Sequence, residues 1–313
     1  MYSHIFSGNP LNRCETERRD EEWISQQARV PESRFLPLWG SKVFVNGGPG
    51  GGGSPTAPTL AWVGLEDLSC RGINCTPILL GLRDNVCYFA VDISVDGESA
   101  DPLQDLADCC FEDVRAAAEV LSLPESGMLA QARSQINWHQ RHGFCSVCGR
   151  QTVVKRGGQK RECPQCGAEH FPRVDPVIIM VVSDGDRCLL GQSRGRLARM
   201  NRYSALAGFV EQGECIEEAV AREVMEEAGI KVQNVRYHSS QPWPFPSSLM
   251  IGCLAEAATT EIHMDPEEMT DVQWFSREEV LLALEEKSQK LLLPGRIAIA
   301  HHLIKSWATQ ENY

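Results

Sequence analysis

The sequence predicts an α/β chain with sheets of mixed strand direction and more than one domain. Three observations lead there. Residues 172–313 alternate short apolar or β-branched runs with amphipathic helical patterns. Residues 34–45 and 77–93 carry short runs rich in Val, Ile, Phe and Tyr, broken by glycine, which read as strands. Between these regions stand two Cys-x2-Cys pairs. A length of 313 residues suffices for two domains with substantial cores.

Taken in order, residues 1–143 form a mixed N-terminal domain. Within it, residues 47–58 are dominated by glycine, proline and serine. That composition cannot bury a core, so the run is an inserted flexible loop. Residues 105–121 and 127–142 read as helices. Residues 144–171 form a small cysteine module. In the C-terminal domain, 172–313, strands are expected at 177–183, 187–192, 232–239, 248–257 and 272–275. Helices are expected after Gly213, at 277–287 and at 296–307.

Composition sets bounds. Apolar residues make up 42% and charged residues 23%, as in ordinary globular proteins. Thirty basic against 42 acidic residues give a net charge of −12. Non-specific coating of nucleic acid needs clustered cations, so it is disfavoured, although one nucleotide end could still enter a local pocket. No apolar run approaches the ~20 residues that cross a bilayer. Residues 1–6 lack the pattern of a secretory signal, and residues 311–313 are not a peroxisomal tail. Thirteen cysteines, an odd number, with four at metal spacing, point to reduced thiols and a cytoplasmic location.

Those four are Cys145 and Cys148, then Cys163 and Cys166. Each pair is followed by glycine, which permits the tight turn that aims two thiolates at one ion. Four thiolates close a tetrahedral Zn²⁺ site with no open position, so one structural zinc per chain is expected. Lys155, Arg156, Lys160 and Arg161 lie on the intervening hairpin and read as a solvated basic tip.

The segment from Gly208 to Ile230 carries the chemistry. A glycine-containing loop precedes a helix whose apolar stripe is Ile216, Ala219, Val220 and Val224, with Gly229 at its C-cap. Glu223, Glu226 and Glu227 are spaced to share one helical face. Like charges so placed repel, and a hard divalent cation with oxygen ligands relieves the repulsion. Downstream, Ser240–Ser248 reads SQPWPFPSS; its alternating prolines forbid helix and are expected to hold an extended segment displaying Trp243 and Phe245.

The pattern G-x5-E-x7-R-E-U-x-E-E-x-G-U, with U bulky and apolar, is matched at every fixed position and resembles the Nudix box. Together with SQPWPFPSS, the cysteine module, His170–Arg173 (HFPR) and Phe6–Leu11, it resembles the NADH pyrophosphatase family over nearly the whole chain. The resemblance implies a Nudix α/β/α sandwich with a mixed sheet, preceded by a zinc ribbon and a smaller mixed N-terminal domain. It implies hydrolysis of the pyrophosphate of NAD(H) to NMN(H) and AMP, and in some members removal of NAD caps from RNA 5′ ends. It also implies several Mg²⁺ or Mn²⁺ ions per site and a homodimer. Carried over by position, Glu223, Glu227 and Glu268 are metal ligands, with the Ala207 carbonyl contributing and Glu226 nearby. One glutamate is a general base, and Glu267 is an adjacent alternative to Glu268. Gln241, Pro242, Trp243, Pro244, Phe245, Pro246, Ser247 and Ser248 line the substrate site, Ala300 touches substrate, and Phe171 and Phe209 sandwich the nicotinamide. Gly208, Glu214, Arg222 and Gly229 shape the box, Glu214 and Arg222 as an ion pair. A catalytically silent nucleotide sensor is the alternative of a different class, and the full set of carboxylates speaks against it.

Overall fold

The computed structural model describes residues 4–47, 58–73, 75–94, 103, 105–106 and 108–310. The expected glycine-rich loop falls outside these residues except at its two ends, as does the tripeptide 311–313.

One unit comprises Ile5–Val174 and Trp243–Ser247. Its first helix, α1 (Glu21–Gln27), starts where the Asp20 carboxylate accepts the N–H groups of Glu22 and Trp23. Strands β1 (Arg34–Trp39), β2 (Lys42–Asn46) and β3 (Thr59–Leu60) precede α2 (Leu65–Ser69). Then follow β4 (Ile78–Arg83), β5 (Val86–Asp92) and β6 (Cys109–Asp113). The sheet order is β3-β2-β1-β5-β4, with β6 also on β2; β1 and β5 run parallel. Phe35, Phe44 and Phe89 fill its core, and the Phe35 and Phe89 rings stack at 5.2 Å.

The expected helix over 105–121 is half strand. Cys109–Asp113 pairs antiparallel with Lys42–Asn46, and the helix α3 (Val114–Val120) begins only where Asp113 caps the N–H groups of Arg115 and Ala116. Pairing with an existing edge outweighed the weak helical pattern of that run. The next helix, α4 (Leu123–Arg141), starts four residues before the expected boundary. Gly127 on it is needed for space: a Cβ there would lie 2.5 Å from the Asn9 nitrogen, so the N-terminal segment crosses the helix at this point.

The cysteine module adds β7 (Val153–Lys155), β8 (Lys160–Glu162) and β9 (Glu169–His170). Its hairpin is not a solvated tip. Gly157 and Gly158 (φ 59° and 96°) pack against Leu79 and Ile78, where any side chain would clash. Arg18, 1% exposed, donates to the carbonyls of Leu79, Arg156 and Gly157. Arg161 is buried and donates to Thr152, Arg156 pairs with Glu15, and Lys160 pairs with Glu162 and Glu169.

The other unit comprises Met1–His4, Asp175–Pro242 and Ser248–Tyr313. It contains β10 (Asp175–Asp184), β11 (Arg187–Ser193), α5 (Arg196–Arg199), β12 (Leu206–Phe209), α6 (Ile216–Ala228), β13 (Val232–Trp243), β14 (Ser248–Ala257), β15 (Met269–Ser276), α7 (Arg277–Leu284) and α8 (Ile299–Thr309). The sheet order is β13-β14-β10-β11-β15, with β12 also on β10; β10 and β14 are parallel, while β11 and β12 run antiparallel to β10. Alternation along β10 sends Ile178, Met180 and Val182 to one face and Ile179 and Val181 to the other. The first face is covered by Ala219, Val220, Val224 and Ala228 of α6; the second by Val280 and Ala283 of α7 and Leu303 and Ile304 of α8. The result is a three-layer α/β/α sandwich around a mixed sheet. The strand β13 runs on through Trp243, and Pro244–Ser247 then turns into β14. The proline-rich run is therefore a strand end and a turn, not one extended segment, because proline has no N–H with which to continue the ladder.

Candidate active site

Helix α6 carries its carboxylates at three depths. Glu227 is 7% exposed, Glu223 is half-buried and Glu226 is exposed, so the three do not form one uniform ridge. Arg222 organises the outer ones. Its Nε and Nη2 donate to the two oxygens of Glu214 at 2.6 and 2.9 Å. Its Nη1 donates to Glu223 at 2.8 Å and Glu226 at 2.9 Å, and its Nη2 also reaches the Phe209 carbonyl at 2.9 Å. One guanidinium thus fastens the loop, the end of β12 and two helix carboxylates. The Arg222 bonds held by Glu214 push that carboxyl down to about 2. At the far end Gly229, at φ 69°, caps the helix.

Gly208 lies in β12, opposite Ile178 of β10, and its φ is not positive. What it provides is room: a Cβ there would sit 1.9 Å from an oxygen of Glu223. The Glu223 carboxylate therefore rests directly on the strand backbone. Ala207 is the preceding strand residue, and its backbone hydrogen bond favours the charged form of Glu227.

Glu227 is the electrostatically costly group. Burial, then the charges of Glu223 and Glu268, push its carboxyl up to about 8. Its Oε2 is buried without a hydrogen-bond partner. Burial, opposed by Arg222, also raises Glu223. Glu268, at the loop before β15, is exposed and close enough to act on both. An orphaned, desolvated carboxylate oxygen beside two further carboxylates fits a hard divalent cation. Mg²⁺ is commonly held by one or two carboxylates plus substrate phosphates, so the site needs no complete protein cage.

The other expected substrate residues divide between the units. In the sandwich, Phe209 is 60% exposed. Gln241 is fully buried, accepting the Ile299 N–H and donating to the Ile297 carbonyl, both at 2.8 Å; Ala300 is buried beside Ile299. In the N-terminal unit, Phe171 is 59% exposed. Trp243 and Phe245 are packed edge-on against Phe6, with the Arg115 guanidinium 4.3 Å from the Phe245 ring centre. Phe6 entered the sequence reading only as part of the Phe6–Leu11 motif, and Arg115 had no signal there, because their partners lie far along the chain.

The four cysteine sulfurs all lie within 4.8 Å of one another, with 3.4 Å between Cys148 and Cys163 and 3.7 Å between Cys145 and Cys166. A Zn–S bond of about 2.3 Å gives a tetrahedral edge of about 3.8 Å, so the sulfurs fit one zinc ion. Gly149 and Gly167 take positive φ after each pair. Backbone N–H groups, foremost that of Cys166, draw the Cys163 thiol down to about 7.

Models of three domain families match this chain in succession. They are an NADH pyrophosphatase-like rudimentary NUDIX domain over residues 32–138, an NADH pyrophosphatase zinc ribbon domain over 140–171 and a NUDIX domain over 172–294. The chain is 38% identical over 340 residues to the NAD-capped RNA hydrolase NUDT12 of Homo sapiens, covering 97% of this chain and 73% of that protein. The chain belongs to the NADH pyrophosphatase family of Nudix hydrolases. Family members similar to it include Nudix hydrolase 19, chloroplastic, of Arabidopsis thaliana, 34% identical over 99% of this chain and 87% of that protein. The NAD(P)H pyrophosphatase NUDT13, mitochondrial, of Mus musculus is 44% identical over 63% of this chain and 59% of its own. Among the described residues, no helix is long and apolar enough to cross a membrane.

Proposed function

We propose that this Nudix hydrolase cleaves the pyrophosphate of NAD(H) to NMN(H) and AMP, and that NAD-capped RNA is a second substrate of the same site. The observation that carries the reading is the buried Glu227 carboxylate, with an unpartnered oxygen, beside Glu223 and Glu268. The substrate class rests on relatives named as NAD(P)H pyrophosphatase and NAD-capped RNA hydrolase.

Glu223, Glu227 and Glu268, with the Ala207 carbonyl, hold Mg²⁺ or Mn²⁺ in this reading. The bound cation supplies charge neutralisation at the phosphates and acidifies water. The chain's own residues do the rest. Arg222 fixes Glu223 and Glu226 in place, and Gly208 leaves Glu223 its room. A glutamate accepts the proton of the attacking water as its oxygen bonds to phosphorus and the bridging P–O bond breaks. Phe209 offers its exposed ring for stacking on a flat base or nicotinamide, and Gln241 and Ala300 belong to the substrate wall.

The same proposal divides the chain at 1–143, 144–171 and 172–313, gives the ribbon a structural zinc, and makes the protein a cytoplasmic homodimer. The test is chromatographic product analysis with NADH, NAD⁺, ADP-ribose, FAD and NAD-capped RNA, each with Mg²⁺ or Mn²⁺. NMNH plus AMP from NADH, fastest among the free nucleotides, is the expected result. Folded, metal-replete protein that cleaves none of them would make the chain a nucleotide sensor.

A further inference from the structure

We propose that the groove between α7 and α8 binds phosphate groups of an RNA whose 5′ NAD end is being hydrolysed. The proposal rests on the reading that NAD-capped RNA is a substrate. A cavity of about 460 Å³ opens there, lined by Arg296, His301, His302 and Lys305 together with Leu281 and Glu285. Among the described residues neither Arg296 nor Lys305 makes an ion pair, and Glu285, the acid of the lining, is paired with Lys287 at 2.7 Å. Two cationic side chains, Arg296 and Lys305, therefore line one cavity with two histidines and a carboxylate that is already paired, in a chain whose net charge is −12. Cations gathered this way repel one another, and a phosphate relieves that repulsion.

The groove is built rather than loosely draped. His302 Nε2 is 2.8 Å from the Arg296 carbonyl and His301 Nδ1 is 3.0 Å from that of Pro294, so both rings brace the segment that carries Arg296. Burial, and then neighbouring groups that include Arg296 and Lys305, hold both imidazoles below their ordinary value. Each neutral ring spends its single N–H on a backbone carbonyl, so the histidines shape the groove and Arg296 and Lys305 are the groups that meet a phosphate.

The segment that carries Arg296 is also tied to Gln241, one of the proposed substrate residues. Gln241 is bonded to Ile297, the residue after Arg296, and to Ile299, two residues before His301. Adjacent Cα atoms are about 3.8 Å apart, so Arg296 lies within a few residues' reach of the wall. A free dinucleotide ends at its adenosine ribose, whereas a capped RNA continues from it as a run of phosphodiesters. The groove offers that run a place; NADH has nothing to put there.

The experiment compares wild type with R296E/K305E and R296Q/K305Q on NADH and on a longer NAD-capped oligonucleotide. With the charge-reversed variant, kcat/KM on the capped RNA falls about tenfold or more at low salt, while that on NADH stays within about twofold. Each phosphate contact on a single strand contributes about 0.7 to the log–log salt slope, so two lost contacts flatten it by about 1.4. The glutamine variant shows a smaller loss in the same direction. Unchanged RNA turnover, or equal losses on both substrates, overturns the groove. Wild type active on NADH but not on capped RNA overturns it too, while wild type inactive on both refutes the function on which it rests.

Discussion

Replacing Glu227 with glutamine removes one buried charge and keeps the shape of the side chain. A carboxyl pushed up to about 8 from an ordinary 4.5 disfavours the ionised native state. The sign follows from linkage: below pH 4.5 the group is protonated in both folded and unfolded chains and costs nothing. As pH rises from 4.5 to 8 the unfolded chain gives up its proton while the folded one resists, so stability falls across that window and levels off above it. Each unit is ~1.4 kcal/mol, so the wild type without Mg²⁺ loses about 3 kcal/mol between pH 5 and pH 8 through this group alone. The variant lacks that slope. Urea midpoints of both proteins at pH 5 and 8, with and without added Mg²⁺, read it directly. Mg²⁺ stabilises the wild type at pH 8 by filling the site, and does so far less in the variant. Turnover in the variant falls by about a hundredfold or more, equal to ~3 kcal/mol of lost transition-state stabilisation. A variant whose stability follows pH and Mg²⁺ as the wild type's does would refute the reasoning.

Gly208→Ala pushes a methyl group against the Glu223 carboxylate, 1.9 Å away. We expect a stability loss of about 1–3 kcal/mol and at least a tenfold drop in kcat with the circular dichroism spectrum unchanged; full activity would remove Glu223 from the mechanism. Cys163→Ser breaks the four-sulfur set, so zinc per chain measured by mass spectrometry falls and the melting temperature drops; retained zinc and stability would exclude a structural ion. His139 is held at about 4 by burial, opposed by its bond to the Gly158 carbonyl. A histidine with a lowered folded pKa stabilises above 6.5 and less as pH falls, so up to about 3 kcal/mol is lost between pH 6.5 and 4. Urea midpoints of wild type and His139→Asn over that range test it, and a parallel decline in both proteins would contradict it.

What was legible in the sequence was what is local. The two cysteine pairs, the apolar stripe of α6 and its capping glycine each sit within a few residues of the feature they create. What escaped depends on partners far along the chain. Cys109–Asp113 became a strand because β2 presented it an open edge. Trp243 and Phe245 were expected on display, yet they pack on Phe6, more than two hundred positions earlier. Gly208 looked like loop flexibility and is instead a gap filled by Glu223. Spacing placed three glutamates on one helix, but burial, which separates their chemistry, is set by what packs above them.

That separation assigns the work at the site. Arg222 already offers Glu223 and Glu226 a positive partner, and Glu226 also faces solvent, so a cation gains less at either of them than at Glu227. Glu227 is buried and, among the described residues, has no arginine beside it; the Ala207 hydrogen bond favours its charge, and Glu223 and Glu268 act against it. The free energy gained from a divalent ion would therefore be concentrated on Glu227. Glu268, the exposed carboxylate from a different element, would share that ion, which would offset its repulsion with Glu227. A double substitution distinguishes this from simple additivity. If Glu227 and Glu268 share an ion, Glu227→Gln with Glu268→Gln costs less in kcat/KM than the two single losses combined, because the first removal already empties the shared position. Strictly additive losses would mean that the two carboxylates serve different ions.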